Sequence, residues 1–258
     1  MRINEFTAVS TKRVTLVPYS AHHVPKYHEW MKDPDIQAAT ASEPLTLDEE
    51  YGMQRSWRED GDKLTFIICR PVPENNSSVG TTRDGQQLDL TSMIGDVNLF
   101  ISLVEDDADD DQHQLLLVGE LELMIAEKTE QGKGLGRAAL LAFLRYIMLH
   151  ERLILTEFQA GQQAIKDHSE STSTLQNHGA TSPTRFDHFA VKIGQTNHRS
   201  MALFESLGFR KTSDTPSYFG EYELRLGRAE AQRNVVSDPD SRTSALLDGY
   251  AEVKYLCP

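Results

Sequence analysis

The sequence predicts a single α+β domain over residues 1–226, with loop insertions at about 70–92 and 160–188 and a polar tail at 227–258. Three observations support this prediction. Strand-like apolar runs alternate with helix-like ones, no internal repeat is present, and 258 residues suffice for one sizeable hydrophobic core. Because the tail is polar, we expect it to dock loosely at best.

The first half of the chain is predicted to hold three strands and two helices. The apolar, strand-like runs are 14–18, 63–69 and 93–102. The helices are predicted at 22–31 and 46–58. Glu49 follows Thr46 by three residues, which is the capping-box spacing at the start of the second helix.

The second half is predicted to begin with a strand that pairs with 93–102 across an acidic hairpin tip at 105–111. The predicted strands are 115–126, 153–158, 189–193, 209–211 and 218–226. The predicted helices are 135–149, dense in Leu, Ala and Phe, and 197–207, which ends at Gly208.

Composition limits the classes of partner. The formal net charge of -13 argues against nucleic acid or an anionic membrane. No segment approaches the ~20 apolar residues of a membrane helix. Cys69 and Cys257 lie far apart without a C-x-x-C pattern, and the histidines lack ligand spacing, so no metal site is expected. We therefore expect a cytoplasmic protein, with the nucleus as the alternative.

The glycine-rich turn at 131–136 (QGKGLG) is the strongest functional signal. It lies between a predicted strand and a predicted helix, where free backbone N–H groups form an anion site. It lacks the G-x-x-x-x-G-K-[ST] pattern of a Walker loop. Gly134, Gly136 and Ala139 fit the dinucleotide pattern G-x-G-x-x-A, but polar residues separate them from the strand, which disfavours that interpretation.

Two motifs together resemble the Gcn5-related N-acetyltransferase superfamily. Residues 131–136 match its Q/R-x-x-G-x-G/A loop, and Asn197, Ser200 and the Gly208–Phe209 pair match its N-x-x-S…GF element. The resemblance implies a mixed central sheet flanked by helices, with acetyl-coenzyme A (acetyl-CoA) as cosubstrate and no metal. It implies that the loop amides hold the pyrophosphate and that Asn197 and its helix flank the pantetheine arm.

The resemblance extends to the N-acetyltransferase 9-like family, over about 1–70, 92–158 and 189–226. It rests on segments such as IGDVNLF at 94–100 and ASEPLTL at 41–47. It implies an acetyltransferase that acts on a protein or peptide amine, an N-terminal α-amine with tubulin as the associated acceptor. The alternatives are a small-molecule amine as acceptor, or an inactive module that binds CoA or a partner.

The resemblance also implies a set of site residues. The expected cofactor-binding residues are Met124, Ile125, Ala126, Gln131, Gly132, Lys133, Gly134, Leu135, Gly136, Arg137, Asn197 and Ser200. Glu120 and Glu122 alternate with leucines and share one strand face. In the superfamily a glutamate on this strand often acts as base, and Glu120 has the spacing of that role. Both carboxylates also suit a solvated sheet face.

The general acid is left open by the same resemblance. Many family members carry a tyrosine in the second helix, where this chain has Phe204. Because a thiol has a pKa of about 8.5, the leaving group can depart as thiolate without an acid. Tyr218 and Tyr222 are alternative donors, although strand aromatics more often serve packing.

Overall fold

The structure is a computed structural model that describes residues 1–71, 90–105, 115–169 and 184–256. Within these ranges the strands form one nine-stranded sheet. They are β1 Thr7–Ser10, β2 Thr15–Pro18, β3 Lys63–Cys69, β4 Met93–Glu105, β5 Leu115–Ile125, β6 His188–Gly194, β7 Arg210–Lys211, β8 Glu221–Gly227 and β9 Ala251–Lys254. The sheet order is β7-β8-β6-β5-β4-β3-β2-β1-β9.

The sheet is mixed, as the sequence predicts. All described neighbours run antiparallel except β5 and β6, which run parallel. The predicted hairpin of β4 and β5 is confirmed over eleven register pairs, from Gly95 opposite Ile125 to Glu105 opposite Leu115. Because a parallel pair needs a crossover connection, the chain between β5 and β6 carries the longest helix.

Helices cover both faces of the sheet. They are α1 Val24–Trp30, α2 Pro34–Thr40, α3 Leu47–Glu59, α4 Leu135–Ser169, α5 His198–Glu205, α6 Arg228–Gln232 and α7 Ser241–Leu246. The α4 helix packs its apolar residues against one face and forms the larger core cluster with it. On the opposite face, α1 and the side chains around it form a second cluster with β2, β3 and β4.

Local signals in the first half are confirmed. Thr46 caps α3, because its hydroxyl oxygen accepts from the Glu49 N–H at 3.4 Å. The Glu49 carboxylate in return accepts from the Thr46 N–H at 2.8 Å, which completes the predicted capping box. The β3 strand has the predicted bounds, Lys63–Cys69.

The predicted strand at 153–158 is wrong, because α4 continues through it to Ser169. The side chains of Ile154, Leu155 and Phe158 are buried, whereas Arg152 and Leu153 are exposed. Buried positions at i, i+1 and i+4 extend the 3.6-residue period of the preceding helix. The short apolar run looked like a strand only when taken apart from that longer stripe.

The expectation of a loosely docked tail is also wrong. Residues 228–246 form helical turns whose Ala231 and Val235 are buried in the larger core. The β9 strand then pairs antiparallel with β1, from Thr7 opposite Lys254 to Ser10 opposite Ala251. Tyr255, just beyond it, is fully buried. A few apolar residues at the right positions therefore suffice to attach a polar segment to the core. The domain boundary at residue 226 stays a prediction.

Most of the predicted insertions lie outside the described residues. The internal gaps are 72–89, 106–114 and 170–183, and the second of them holds residues 106–111 of the predicted acidic hairpin tip. Two parts of the second insertion are described. Residues 160–169 continue α4, and residues 184–188 lead into β6 with Phe186 buried. Within the described ranges, no helix combines the length and the apolar character needed to cross a bilayer.

Candidate active site

The glycine-rich turn joins the end of β5 to the start of α4. Gly132 and Gly134 have φ angles of 75° and 79°, a left-handed conformation that side chains with a Cβ rarely adopt. Gly136 packs so closely that a Cβ there would lie 3.1 Å from Leu123 of β5. The three glycines therefore fold the chain tightly and bring the start of the helix against the strand.

This turn leaves a group of backbone donors free. The first backbone bond into α4 runs from the Ala138 N–H to the Gly134 carbonyl, at 3.1 Å. In the part of the chain that the structure describes, the N–H groups from Gly132 to Arg137 have no acceptor. They lie at the positive end of a 35-residue helix. The arrangement fits a doubly charged phosphate ligand such as a pyrophosphate.

Side chains of the turn hold its shape. Gln131 donates from Nε2 to the Ile125 carbonyl at 2.8 Å, which ties the turn to the end of β5. Lys133 is paired with Glu130 at 3.0 Å. Arg137 is buried and donates to the Ser206 hydroxyl and, at 3.1 Å, to the Ser206 carbonyl. Arg137 therefore offers a ligand at the turn its backbone N–H, because its guanidinium is bonded to Ser206.

Two arginines that were not predicted from the sequence, Arg13 and Arg199, flank the glycine-rich turn. Arg13, in the β1–β2 hairpin, donates to the Lys133 carbonyl at 2.9 Å. Arg199, in α5, donates to the Gln131 side-chain oxygen at 3.3 Å, and its guanidinium would lie 3.1 Å from a Cβ at Gly132. Neither forms an ion pair among the described residues. Both lie far from the turn in sequence, so no local signal identifies them.

A gap opens between β5 and β6 beside the turn. The two strands pair only from Val118–His188 to Glu120–Ala190 in register, although both continue beyond. Ala126 donates its N–H to the Ile94 carbonyl of the β4 side at 2.8 Å. Because amides alternate along a strand, the Met124 N–H also faces β4, whereas those of Leu123 and Ile125 face the gap.

The predicted donor set of Met124, Ile125 and Ala126 is therefore corrected. Ala126 has its N–H bonded within the sheet, and Met124 faces the wrong side. The Leu123 and Ile125 N–H groups face the gap instead. Sequence could not decide this, because the direction of an amide depends on which residue faces which in the β4–β5 register.

The second motif forms the start of α5 on the far side of the gap. Asn197 is the N-cap of this helix, and its side-chain oxygen accepts from the Ser200 N–H at 3.1 Å. Asn197 and Ser200 are both half-buried. Phe204, where the family often has tyrosine, is buried edge-on against Phe209 with ring centres 5.1 Å apart. This position packs the core and carries no acid.

The two candidate bases differ in their partners. Glu120 accepts a hydrogen bond from Lys192 of β6 at 2.7 Å. Glu122 has no ion-pair partner within 4.0 Å among the described residues, and part of its side chain is exposed to solvent. Surrounding protein still withdraws much of its hydration. That desolvation raises the pKa of Glu122 to about 7, and the charges of Asp96 and Glu120 raise it further.

A buried carboxylate lies across from these residues on β4. Asp96 is 2% exposed and accepts from the Tyr27 hydroxyl of α1 at 3.2 Å and from the Asn98 amide at 2.9 Å. Desolvation raises the pKa of Asp96 to about 6, although both donors oppose this. The sequence did not single out Asp96 and Asn98 as candidates, although two polar residues alternating in a buried strand are the signal that would have indicated them.

An exposed aromatic pair lies beside the end of β6. Tyr218 and Phe219 are 97% and 83% exposed and contact each other edge-on. Their turn is joined to β6 by a 2.8 Å bond from the Gln195 N–H to the Gly220 carbonyl. Tyr218 precedes β8, so its predicted strand position is wrong. Tyr222 lies in β8, where its ring is covered by Lys211 at 4.2 Å.

Comparison with known proteins gives consistent matches. A family model described as "Acetyltransferase (GNAT) domain" matches residues 13–210. The chain is 38% identical over 255 residues to a human protein named "Alpha/beta-tubulin-N-acetyltransferase 9", covering 98% of this chain and 99% of that protein. It is 44% identical over 212 residues to the Drosophila melanogaster protein of the same name, covering 82% of each.

Two further matches extend the comparison. An "N-acetyltransferase 9-like protein" of Schizosaccharomyces pombe is 36% identical over 243 residues, covering 88% of this chain and 99% of that protein. The crystal structure of spermidine N-acetyltransferase from Vibrio cholerae in complex with CoA and spermine matches with a TM-score of 0.52 and 14% identity. It covers 85% of this chain and 98% of that one, and this likeness shows the fold alone.

Proposed function

The chain belongs to the acetyltransferase (GNAT) family and to its N-acetyltransferase 9 group, and from this we propose that it acetylates the N-terminal α-amine of a protein. It is an acetyl-CoA-dependent N-acetyltransferase. Tubulin is the acceptor that we propose first, because the human and Drosophila relatives are named for α- and β-tubulin. A tubulin acceptor implies the cytoplasm as the place of action, and the nucleus is the alternative.

The setting of Glu122 carries the choice of amine, because this glutamate has no ion-pair partner among the described residues whereas Glu120 is paired with Lys192. Desolvation and neighbouring acidic groups raise the pKa of Glu122 to about 7, which is close to the ~7.7–8.0 of an α-amine and far below the ~10.4 of a lysine. Proton transfer from an α-ammonium to Glu122 is therefore nearly balanced, whereas transfer from a lysine is strongly uphill. A base works best when its pKa lies near that of its partner and near the working pH. Glu122 is thus suited to an N-terminal acceptor.

The cofactor site that we propose is built from the described donors. Acetyl-CoA supplies a thioester, whose carbonyl carbon accepts the amine. The free N–H groups of Gly132 to Arg137 suit its pyrophosphate, with Arg13 and Arg199 on either side. The Leu123 and Ile125 amides face the gap, where they suit the pantetheine and the thioester oxygen. Asn197 and Ser200 border the gap from α5.

We assign the base to Glu122 rather than to Glu120. The Lys192 ammonium donates to Glu120 at 2.7 Å, so one oxygen of that carboxylate is already engaged in an ion pair. Such a carboxylate suits the positioning of a cationic amine more than proton transfer. Because Phe204 supplies no acid, the leaving group departs as thiolate, as its pKa of about 8.5 allows.

A protein acceptor is further supported by the pair Tyr218 and Phe219. Large exposed aromatic groups beside a site often contact a partner protein, and a small amine does not need them. They lie next to the end of β6, which borders the gap. We propose that this pair contacts the residues that follow the acceptor amine.

The test measures free thiol and acetylated product with three acceptors at saturating acetyl-CoA. These are a peptide with the N-terminal sequence of tubulin, the same peptide with a blocked α-amine and a free lysine, and spermidine. We expect turnover with the first peptide only. Turnover with spermidine alone would favour a small-amine acceptor, and cofactor binding without any turnover would favour an inactive module.

Matched variants test the base in the same assay. We expect Glu122→Gln to lower kcat by about 100-fold or more without changing cofactor affinity, because it removes the proton acceptor. Glu120→Gln, on the same strand face, should mainly raise KM for the peptide. If Glu122→Gln keeps wild-type kcat and pH dependence, Glu122 is not the base.

A further inference from the structure

Asn98 of β4 lies directly opposite Glu122 in the β4–β5 register and shares its sheet face. It is 4% exposed. Opposed residues of an antiparallel pair have Cβ atoms about 4.5–5.5 Å apart, which is within reach of two polar side chains. Within the described part of the chain, the side-chain oxygen of Asn98, Oδ1, has no hydrogen-bond partner. A buried amide oxygen without a donor is costly, by about 1–3 kcal/mol.

The orientation of this amide is fixed from the other side. The Asn98 Nδ2 group donates to Asp96 at 2.9 Å, and the Tyr27 hydroxyl donates to the same carboxylate oxygen at 3.2 Å. A carboxylate accepts and does not donate, so Nδ2 must face Asp96 and Oδ1 must point elsewhere. The buried pair Tyr27 and Asp96 thereby sets which end of the Asn98 amide is left for Glu122.

We propose that Asn98 and Asp96 are positioning residues for the proton of Glu122, with Asn98 Oδ1 accepting a hydrogen bond from the protonated carboxyl. This proposal deepens the function proposed above, because it takes Glu122 as the base. The missing donor for Asn98 Oδ1 is then the protonated carboxyl of Glu122. When Glu122 is ionised this oxygen has no donor, and when Glu122 takes up a proton the new O–H satisfies it.

The proton balance of this step is simple. The acceptor ammonium loses one proton to the Glu122 carboxylate, which leaves a neutral amine with a free lone pair and a neutral carboxylic acid. The new O–H of Glu122 donates to Asn98 Oδ1, and no proton passes to Asn98. Because the Glu122 side chain is partly exposed, its proton returns to solvent once product has left.

Charged groups from four strands act on Glu122. Asp96 of β4, Glu120 of its own strand and Glu221 of β8 favour the protonated form, whereas Lys192 of β6 opposes it. Since three of the four are acidic, the site already favours a carboxyl that carries a proton. The hydrogen bond to Asn98 Oδ1 stabilises the protonated carboxyl further and fixes the direction of its O–H.

Two groups from the helical side act on the Tyr27 and Asp96 pair. Tyr19, which follows β2, and Glu50 of α3 are both buried, and both raise the pKa of the Tyr27 hydroxyl, after desolvation and Asp96 itself. Tyr27 therefore stays protonated and remains a donor to Asp96. Among the described residues Asp96 has no ion-pair partner, and its charge favours the protonated form of Glu122.

The test is a pH titration of the full chain followed by carboxyl NMR with ¹³C-labelled glutamate. The Glu122 signal is assigned by its loss in Glu122→Gln. We expect Asn98→Ala and Asp96→Asn each to lower the Glu122 pKa by about one unit, because each removes a group that favours the protonated carboxyl. The acid limb of the kcat profile should move to lower pH by the same amount.

Thr15→Val is the matched control. Thr15 of β2 lies opposite Cys69 on the same sheet face, is 1% exposed, and its hydroxyl also lacks a partner among the described residues. We expect this variant to leave the Glu122 titration unchanged. An unchanged Glu122 pKa in folded Asn98→Ala and Asp96→Asn, or an equal shift in Thr15→Val, would overturn the proposal.

The two hypotheses fail separately. If Glu122→Gln retains full activity, the base assignment falls, and the NMR titration still decides whether Asn98 and Asp96 hold the Glu122 proton. If the NMR shifts are absent while Glu122→Gln is inactive, the base assignment stands and the positioning role is wrong.

Discussion

The two faces of the sheet are filled in different ways. Against α4, the face is a continuous apolar cluster that runs from Val9 of β1 to Leu226 of β8. Against α1 and α3, a smaller apolar cluster is interrupted by buried polar groups without partners among the described residues. These groups include the hydroxyls of Thr15, Tyr19 and Thr65, the Nε2 atom of His23, one carboxylate oxygen of Glu50 and the side-chain oxygen of Asn98.

The difference separates the residues that stabilise the fold from those that are available for chemistry. Each apolar group that is buried stabilises the folded state, whereas each unsatisfied buried polar atom destabilises it by about 1–3 kcal/mol. Most of the unpaired buried polar atoms among the described residues lie on the α1 face, which carries Asn98 and Glu122, whereas Arg137 and Arg145 of α4 each leave one buried Nε atom unpaired. This concentration points to the α1 face as the one that carries chemistry. The α4 face contributes the phosphate turn, which depends on backbone geometry rather than on buried charge.

The largest effect is expected from a substitution in the glycine-rich turn. Gly134→Asp introduces a Cβ at a φ of 79° and a carboxylate among donors that suit a phosphate. We expect the affinity for acetyl-CoA, measured by calorimetry, to fall by at least about 1000-fold, or ~4 kcal/mol.

Gly249→Asp is the control for that change. Gly249 has a similar φ of 73° but lies in the turn before β9, where a Cβ would contact Lys12 and not the glycine-rich turn. It should cost some thermal stability and leave cofactor affinity unchanged. Equal affinities of wild type and Gly134→Asp would refute the assignment of the turn.

An effect of intermediate size is expected for Asp96, on the sheet face against α1, where the pH dependence of stability should change. Burial raises the pKa of Asp96 from 3.8 to about 6, so the folded state binds its proton more tightly than the unfolded chain. Wild-type stability from this group therefore falls as pH rises from about 4 to 6. Asp96→Asn removes that loss. Its unfolding free energy, relative to wild type, should be higher at pH 8 than at pH 4 by roughly 2–3 kcal/mol.

Denaturant unfolding at the two pH values measures this difference. Glu43→Gln, which removes one exposed carboxylate, is the control and should show little difference between them. If Asp96→Asn gives the same change at pH 4 and pH 8, the buried charge at Asp96 does not weaken the fold.

The smallest effect sharpens the role of the flanking arginines. Arg13→Ala and Arg199→Ala should each weaken acetyl-CoA binding by about three- to five-fold, because exposed ion pairs contribute little individually. The loss should shrink as salt is added. Arg210→Ala, whose guanidinium pairs with Glu230 at 3.1 Å, is the control. Equal losses for all three would mean that Arg13 and Arg199 act only through net charge.

The sequence predictions are accurate where a feature depends on neighbouring residues and fail where it depends on residues distant in the chain. The capping box at Thr46, the β4–β5 hairpin and the N-cap at Asn197 depend on neighbouring residues or on periodicity, and sequence predicts such features well. The strand predicted at 153–158 failed because six residues are too short to reveal the longer helical stripe. The tail failed because its few apolar residues become decisive only against an existing core.

Sequence by itself determined the family, the cofactor and the turn that suits its pyrophosphate, because glycine spacing and helix starts are local properties. It also supplied both candidate bases, Glu120 and Glu122. Only the tertiary structure decided which amides face the gap, which glutamate is paired with Lys192, and that Asp96 and Asn98 lie beside Glu122. These facts depend on strand register and on residues distant in the chain, which the fold brings together and the linear pattern does not encode.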